Sequence, residues 1–230
     1  MATRVYFHTL RTSAVTVPAA GAEWEHVQAA SAFYMGPVIG TDALQTLAYT
    51  PDAVDDVTDR DALHYQYVSD PLAAQTLAGN IKGQFQCSET ANNDNLFLTF
   101  KLMSCARDGS SISNTLLAIT RDTTTEFTTS LVNKNFPSTA LTSTAIALGE
   151  RLILEIGAGG NITTGAGGTI GHNASLRWGN AATSGDLPED DTEAGTTFRP
   201  WVEFSQTILF EAALFPDTNM NIRRTRLQEW

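Results

Sequence analysis

The sequence predicts an all-β protein, an antiparallel β-sandwich of jelly-roll type. Three observations predict it. Thr197, Arg199, Trp201, Glu203, Ser205 and Thr207 alternate with apolar Phe198, Val202, Phe204 and Ile208, and shorter runs do the same. Side chains of a strand point to opposite faces in turn, so period two marks a strand with one buried face. Clusters of Gly, Asn, Asp and Ser separate these runs, and no strand–helix–strand alternation intervenes.

The elements follow in order. Residues 4–10 form a first strand, with Val5, Phe7 and Thr9 on one face and Tyr6, His8 and Leu10 on the other. Residues 14–18 can extend it. Trp24, Val27, Ala30, Phe33 and Tyr34 are spaced loosely as on a helix, so residues 24–38 read as a short helical or irregular insertion. Residues 41–61 read as loop, because Pro51 and a run of aspartates break any period. Strands are expected at 63–68, 81–87, 96–103, 116–120, 124–132, 151–156, 174–178 and 198–210. The strongest is 96–103, apolar on both faces for part of its length. Ala91-Asn-Asn-Asp-Asn95 is a turn by composition, since Asn and Asp tolerate left-handed backbone. The first strand and the last long one are expected in one sheet. Residues 1–220 read as one sandwich domain and 221–230 as an Arg-rich tail.

The formal net charge of −11 removes the basic field that general nucleic-acid binding requires. The acid is concentrated at 52–61 and 186–193, both read as solvated loops. Lysine is nearly absent, with only Lys82, Lys101 and Lys134. Such a surface loses little side-chain entropy in protein–protein contacts, which suits an assembly protein. The first residues carry no apolar leader, and no run approaches 18 apolar residues, so neither export nor a membrane span is expected. Cys87 and Cys105 are either two free thiols or a cross-strand disulfide.

Catalytic motifs are missing. The glycine stretch at 157–171 lacks the lysine of a phosphate loop, and its third position is isoleucine where a dinucleotide fingerprint needs glycine. It reads as a long loop between strands. His8, His26, His64 and His172 do not pair at ligand spacing, so no metal and no cofactor are expected. Glu155 and Glu203 stand singly in their strands, without the facing carboxylate a glycosidase needs. A binding reading is stronger than an enzymatic one: Trp178 and Trp201, with Tyr65 and Tyr67, would form a sugar platform that stacks on pyranose faces. Asp186, Asp190, Asp191 and Asn180 would add polar contacts or hold calcium, although the order of a known calcium loop is lacking. The competing reading makes both tryptophans core residues, with Arg177 and Arg199 crossing a sheet to Glu203 or Glu155. In the tail, Arg223, Arg224 and Arg226 suit an acidic partner surface, and Trp230 favours a docked end over a solvated one.

Four segments carry a resemblance: Val5-Tyr-Phe-His-Thr9, Leu176-Arg-Trp-Gly179, Gly185-Asp-Leu-Pro188 and Arg199-Pro-Trp-Val-Glu-Phe-Ser205. With them the chain resembles jelly-roll structural proteins of tailed-bacteriophage virions. The resemblance implies a non-enzymatic virion component assembled in the host cytoplasm. It implies a homotrimeric capsid decoration (cement) protein that contacts the major capsid protein or other virion proteins and stabilises the head. The alternative expectation is a carbohydrate-binding receptor module at a tail tip or baseplate.

Overall fold

A computed structural model describes residues 1–27, 32–40, 42–43, 45–52, 60–90, 94–160, 172–179, 185–192, 194 and 197–211. Its strands are β1 (Thr3–Thr12), β2 (His26–Val27), β3 (Ala32–Gly36), β4 (Gln45–Asp52), β5 (Arg60–Val68), β6 (Gln75–Leu77) and β7 (Asn80–Glu89). They continue as β8 (Leu96–Cys105), β9 (Ile112–Arg121), β10 (Val132–Ala140), β11 (Thr144–Ile146), β12 (Arg151–Gly160), β13 (His172–Trp178) and β14 (Trp201–Phe204). No helix occurs among the described residues.

Two sheets face each other. In the first, β7 pairs with β10 along one side and with β14 and then β13 along the other. The start of β1 lies beside β14, and β4 lies beside β13. The second sheet runs β1, β3, β5, β12, β8, β9. Strand β1 belongs to both: Thr3, Arg4 and Val5 pair with β14, whereas Tyr6, Phe7 and Thr12 pair with β3. A strand that changes sheets makes the corner of such a sandwich. The small β6–β11 ribbon stands apart.

The core follows from the alternation. On β7 the inward row is Ile81, Gly83, Phe85, Cys87 and Glu89; the outward row includes Lys82, Gln84 and Gln86. Phe100 of the second sheet meets Phe85 edge-on at 5.7 Å and stacks on Phe136 at 4.0 Å, so three rings join the sheets. Gly83 makes room for this contact, because a Cβ there would lie 3.0 Å from both Phe100 and Val202. Fully buried rings of this kind contribute several kcal/mol each, about 3–5 when truncated to alanine.

The structure bears out the sandwich, the strong β8 and the pairing of the first and last strands. It corrects several boundaries. Residues 24–38 contain β2 and β3 and no helix among those described, because Phe33 and Tyr34 pair with β5 as a strand. Residues 45–52 form β4 despite Pro51, since β13 offers them a pairing edge. Residues 14–18 do not extend β1; Val15 and Val17 instead lie over Val68, Met103 and Ile153 on the outer face of the second sheet. The expected strand at 124–132 is a turn, in which Asp122 accepts the backbone N–H groups of Thr124 and Thr125. Its place is taken by β10, an edge strand whose register shifts around Pro137, where an imino residue is tolerated. The expected strand at 198–210 is only four residues long, 201–204. Gly157 to Gly160 belong to β12 rather than to a loop, and residues 161–171 lie outside the described residues. So does the tail with Arg223, Arg224, Arg226 and Trp230. Cys87 and Cys105 are free thiols and both are buried.

Candidate functional site

The residues expected to bind sugar do not form a platform. Trp178 points inward from β13 and packs against Tyr65 and His64 at centroid distances of 5.1 and 5.0 Å. Trp201 points outward from β14, under Leu187 and beside Tyr6, and its ring nitrogen donates to the Leu187 carbonyl at 2.8 Å. The two tryptophans therefore lie on opposite faces of one sheet, and both are buried. This corrects the platform reading: the tryptophans are core residues.

Asp186 is spent inside the fold, and Asp190 lies exposed in the 185–192 segment. Asp186 accepts from Arg4 at 2.9 Å, from the Tyr6 hydroxyl at 3.0 Å and from Arg199 at 3.1 Å. Asp190 accepts from the backbone N–H of Thr192 at 3.0 Å. Arg199 and Arg177 do not reach Glu203 or Glu155 as expected. Arg199 serves Asp186, and Arg177 donates to Gln86 at 2.7 Å. Glu203 instead pairs with Arg4 and Lys82, which hold its carboxyl below the ordinary carboxylate range against the opposing effect of burial.

Glu155 is completely buried on the outer face of the second sheet, beneath the segment before β2. The Trp24 ring nitrogen donates to it at 2.6 Å and Gln66 at 2.8 Å, and Lys101 lies 3.8 Å away. Lys101 also pairs with Glu23. Each carboxylate oxygen accepts one of these hydrogen bonds, so the site fastens the 18–25 strap to the sheet.

The residue the sequence reading passed over is Glu89. It ends the inward row of β7, next to Cys87, and the segment 126–128 crosses over it, with the Glu89 N–H donating to the Thr128 carbonyl at 2.9 Å. Burial pushes its carboxyl up to about 7, and the charges of Glu126 and Asp94 add to the shift. Its single strong support is the Leu96 N–H, at 3.3 Å. Lys134 faces the same interior from β10, opposite Phe85, and acts on both Glu89 and Cys87 through space. It is buried, yet its amino group has no hydrogen bond or ion pair among the described residues. An acid poised near neutrality in the field of a buried amine is the pattern by which reactive sites are recognised. The sequence signal was available: a glutamate on the apolar face of an alternating strand.

Among the described residues no three His, Cys, Asp or Glu side chains converge on one point, and no helix is long and apolar enough to cross a membrane.

Comparison with known proteins finds no matching family model and no curated relative. Solved structures do match. A CocE/NonD family hydrolase from Staphylococcus aureus is 10% identical over 91% of this chain, with a TM-score of 0.45. An aminopeptidase from a marine sediment Thaumarchaeota archaeon is 10% identical over 91% of the chain, with a TM-score of 0.48. A structure of infectious bursal disease virus, Gx strain, is 15% identical over 71% of the chain, with a TM-score of 0.31. The chain spans only 36–37% of the length of each of these. Against the expectation of a non-enzymatic capsid decoration protein, the higher-scoring of these likenesses are to hydrolases, and at 10% identity they assign this chain no function. The viral capsid likeness is weaker and singles out neither tailed phages nor a trimer.

Proposed function

We propose that the chain is a β-sandwich module that performs acid–base chemistry on a small polar substrate at the Glu89 end of the sandwich, with hydrolysis as the reaction class. The observation that carries this reading is the inward-facing Glu89 carboxyl, half-neutralised near pH 7, in the field of the Lys134 amine. Neutral Glu89 donates its proton to the leaving group as the bond breaks. A second carboxylate, for which Glu126 is the candidate because its charge acts on Glu89, takes a proton from the attacking water. The hydroxyl of that water adds to the substrate, and Lys134 stabilises the negative charge that develops.

The test is a panel of chromogenic esters, amides and glycosides presented to the wild-type chain, Glu89→Gln and Lys134→Met. The expected result is turnover that declines as pH rises through about 7 and that Glu89→Gln removes. A carbon-13 titration of the Glu89 carboxyl accompanies it. Titration at the ordinary glutamate value, with no substrate turned over, refutes the reading.

A further inference from the structure

The outer face of the first sheet carries a row of amides that the fold itself leaves half satisfied. Gln84 on β7 and Asn133 on β10 are 1% and 0% exposed. Gln84 donates through Nε2 to Asn135 Oδ1 at 2.9 Å, and Asn133 donates through Nδ2 to the Pro188 carbonyl at 2.5 Å. These bonds orient both amides. Their oxygens, Gln84 Oε1 and Asn133 Oδ1, are buried without a donor. Buried acceptors are nearly always paired, so two in one row require an explanation.

The strand register makes the two side chains neighbours. Asn135 stands opposite Gln84 and Asn133 opposite Gln86, which places Gln84 and Asn133 diagonally on one face. The 185–192 segment roofs this face and brings more oxygen. Asp190 Oδ1 lies 3.5 Å from Asn133 Nδ2, and Asp191 Oδ1 accepts the Asn135 N–H at 2.9 Å. The neighbouring cations have other partners: Lys82 is paired with Glu189 and Glu203, and Arg177 donates to Gln86. What remains is a set of oxygens under two carboxylates.

We infer that this row binds a hard cation of the calcium class. Gln84 Oε1 and Asn133 Oδ1 are its neutral ligands, and the carboxylates of Asp190 and Asp191 supply the charge. Calcium accepts amide, carbonyl and carboxylate oxygens in a flexible shell, whereas magnesium demands a tight octahedron and keeps its waters. With two carboxylates the site belongs to the weak class, with a dissociation constant of about 10⁻⁴–10⁻³ M. Binding pins the roof segment onto edge strand β10.

Trp201 stands directly opposite Gln84 across β14 and β7, so its indole is placed to sensitise a bound lanthanide. The experiment titrates the full chain with terbium, excites tryptophan and then adds calcium or magnesium in competition. Sensitised emission is expected, displaced by calcium and at least about tenfold less effectively by magnesium. Gln84→Met and Asn133→Leu should each weaken terbium binding tenfold or more with the far-UV spectrum unchanged. Asp191→Asn, on the half-buried roof, provides the same test should a floor variant fail to fold. The inference is overturned if terbium gives no sensitised emission. It is equally overturned if the variants bind terbium as the wild type does, which would mean that the ion sits on surface carboxylates and the row holds only water.

Discussion

The guanidinium of Arg4 lies over the ring of Trp201, 3.9 Å from its centre. The same arginine reaches Glu203 at 2.7 Å and Asp186 at 2.9 Å. Three segments far apart in the chain meet here: β1, the 185–188 loop and the residues leading into β14. The backbone adds to the meeting, because Leu187 and Arg199 exchange a hydrogen bond of 2.9 Å and Arg199 reaches Gly185 at 3.0 Å. This meeting point is a folding staple that buries one tryptophan and closes a loop over a sheet.

The staple can be weighed by substitution. Arg4→Met keeps an apolar stem over Trp201 but leaves Asp186 and Glu203 short of a partner. A loss of about 1–3 kcal/mol is expected, because charge-assisted bonds are worth that much when part-buried. Arg4→Lys should lose nearly as much, since an ammonium cannot span two carboxylates while stacking on the ring. Urea unfolding followed by tryptophan emission measures both.

Stability should depend on pH through two groups of opposite sign. Burial lowers the His64 pKa from 6.5 to about 3. The unfolded chain therefore takes up a proton at His64 before the folded one does. The stability this group provides is complete above 6.5 and is lost as pH falls towards 3. His64→Phe should flatten that acid arm, as read from melting midpoints between those limits.

Glu89 works in the other direction. Its pKa rises from 4.5 to about 7 on folding, so the folded chain holds the proton longer and stability falls as pH rises between those values. Glu89→Gln should remove the decline and exceed the wild type above neutrality by on the order of 1–2 kcal/mol. Equal melting curves for the two proteins at pH 5 and pH 8 would contradict the buried placement of the carboxyl.

The Glu155 cluster offers a coupling measurement. Removing one member of a buried ion pair strands the other, at a cost of about 3–5 kcal/mol. Glu155→Leu leaves the buried Lys101 to its pairing with Glu23, and Lys101→Met leaves Glu155 with only its bonds from Trp24 and Gln66. The double variant is expected to be less damaged than the sum of the two, because neither charge is then stranded. Additive losses would show that the pair is not coupled.

Both thiols are expected to be inert in the native state. Burial pushes the Cys105 pKa up to about 11 and that of Cys87 higher still, so little thiolate exists at neutral pH. Disulfide-exchange labelling should be slow at both positions. It should be faster at Cys105, which lies near the surface strap carrying Val15 and Val17, than at Cys87 in the central core. Rapid labelling of Cys87 would place it outside the sandwich interior.

The sequence by itself determined the class of fold. Alternation at residues 4–10, 81–87, 96–103 and 174–178 reports which face of a strand is buried, and that is a local property of the chain. It also ruled out the helix-dependent nucleotide folds, because those need fixed glycine and lysine positions. Tertiary structure decided what local pattern cannot express. Whether 45–52 is loop or strand depended on β13 offering an edge. Whether Trp178 and Trp201 share a face depended on how the strands pair and which side each ring occupies. Glu89 looked like one more acid until the segment at 126–128 crossed over it and removed its water. A pKa, a buried orphan oxygen and a stacked arginine all arise from groups far apart in the chain, and only the packed sandwich brings them together.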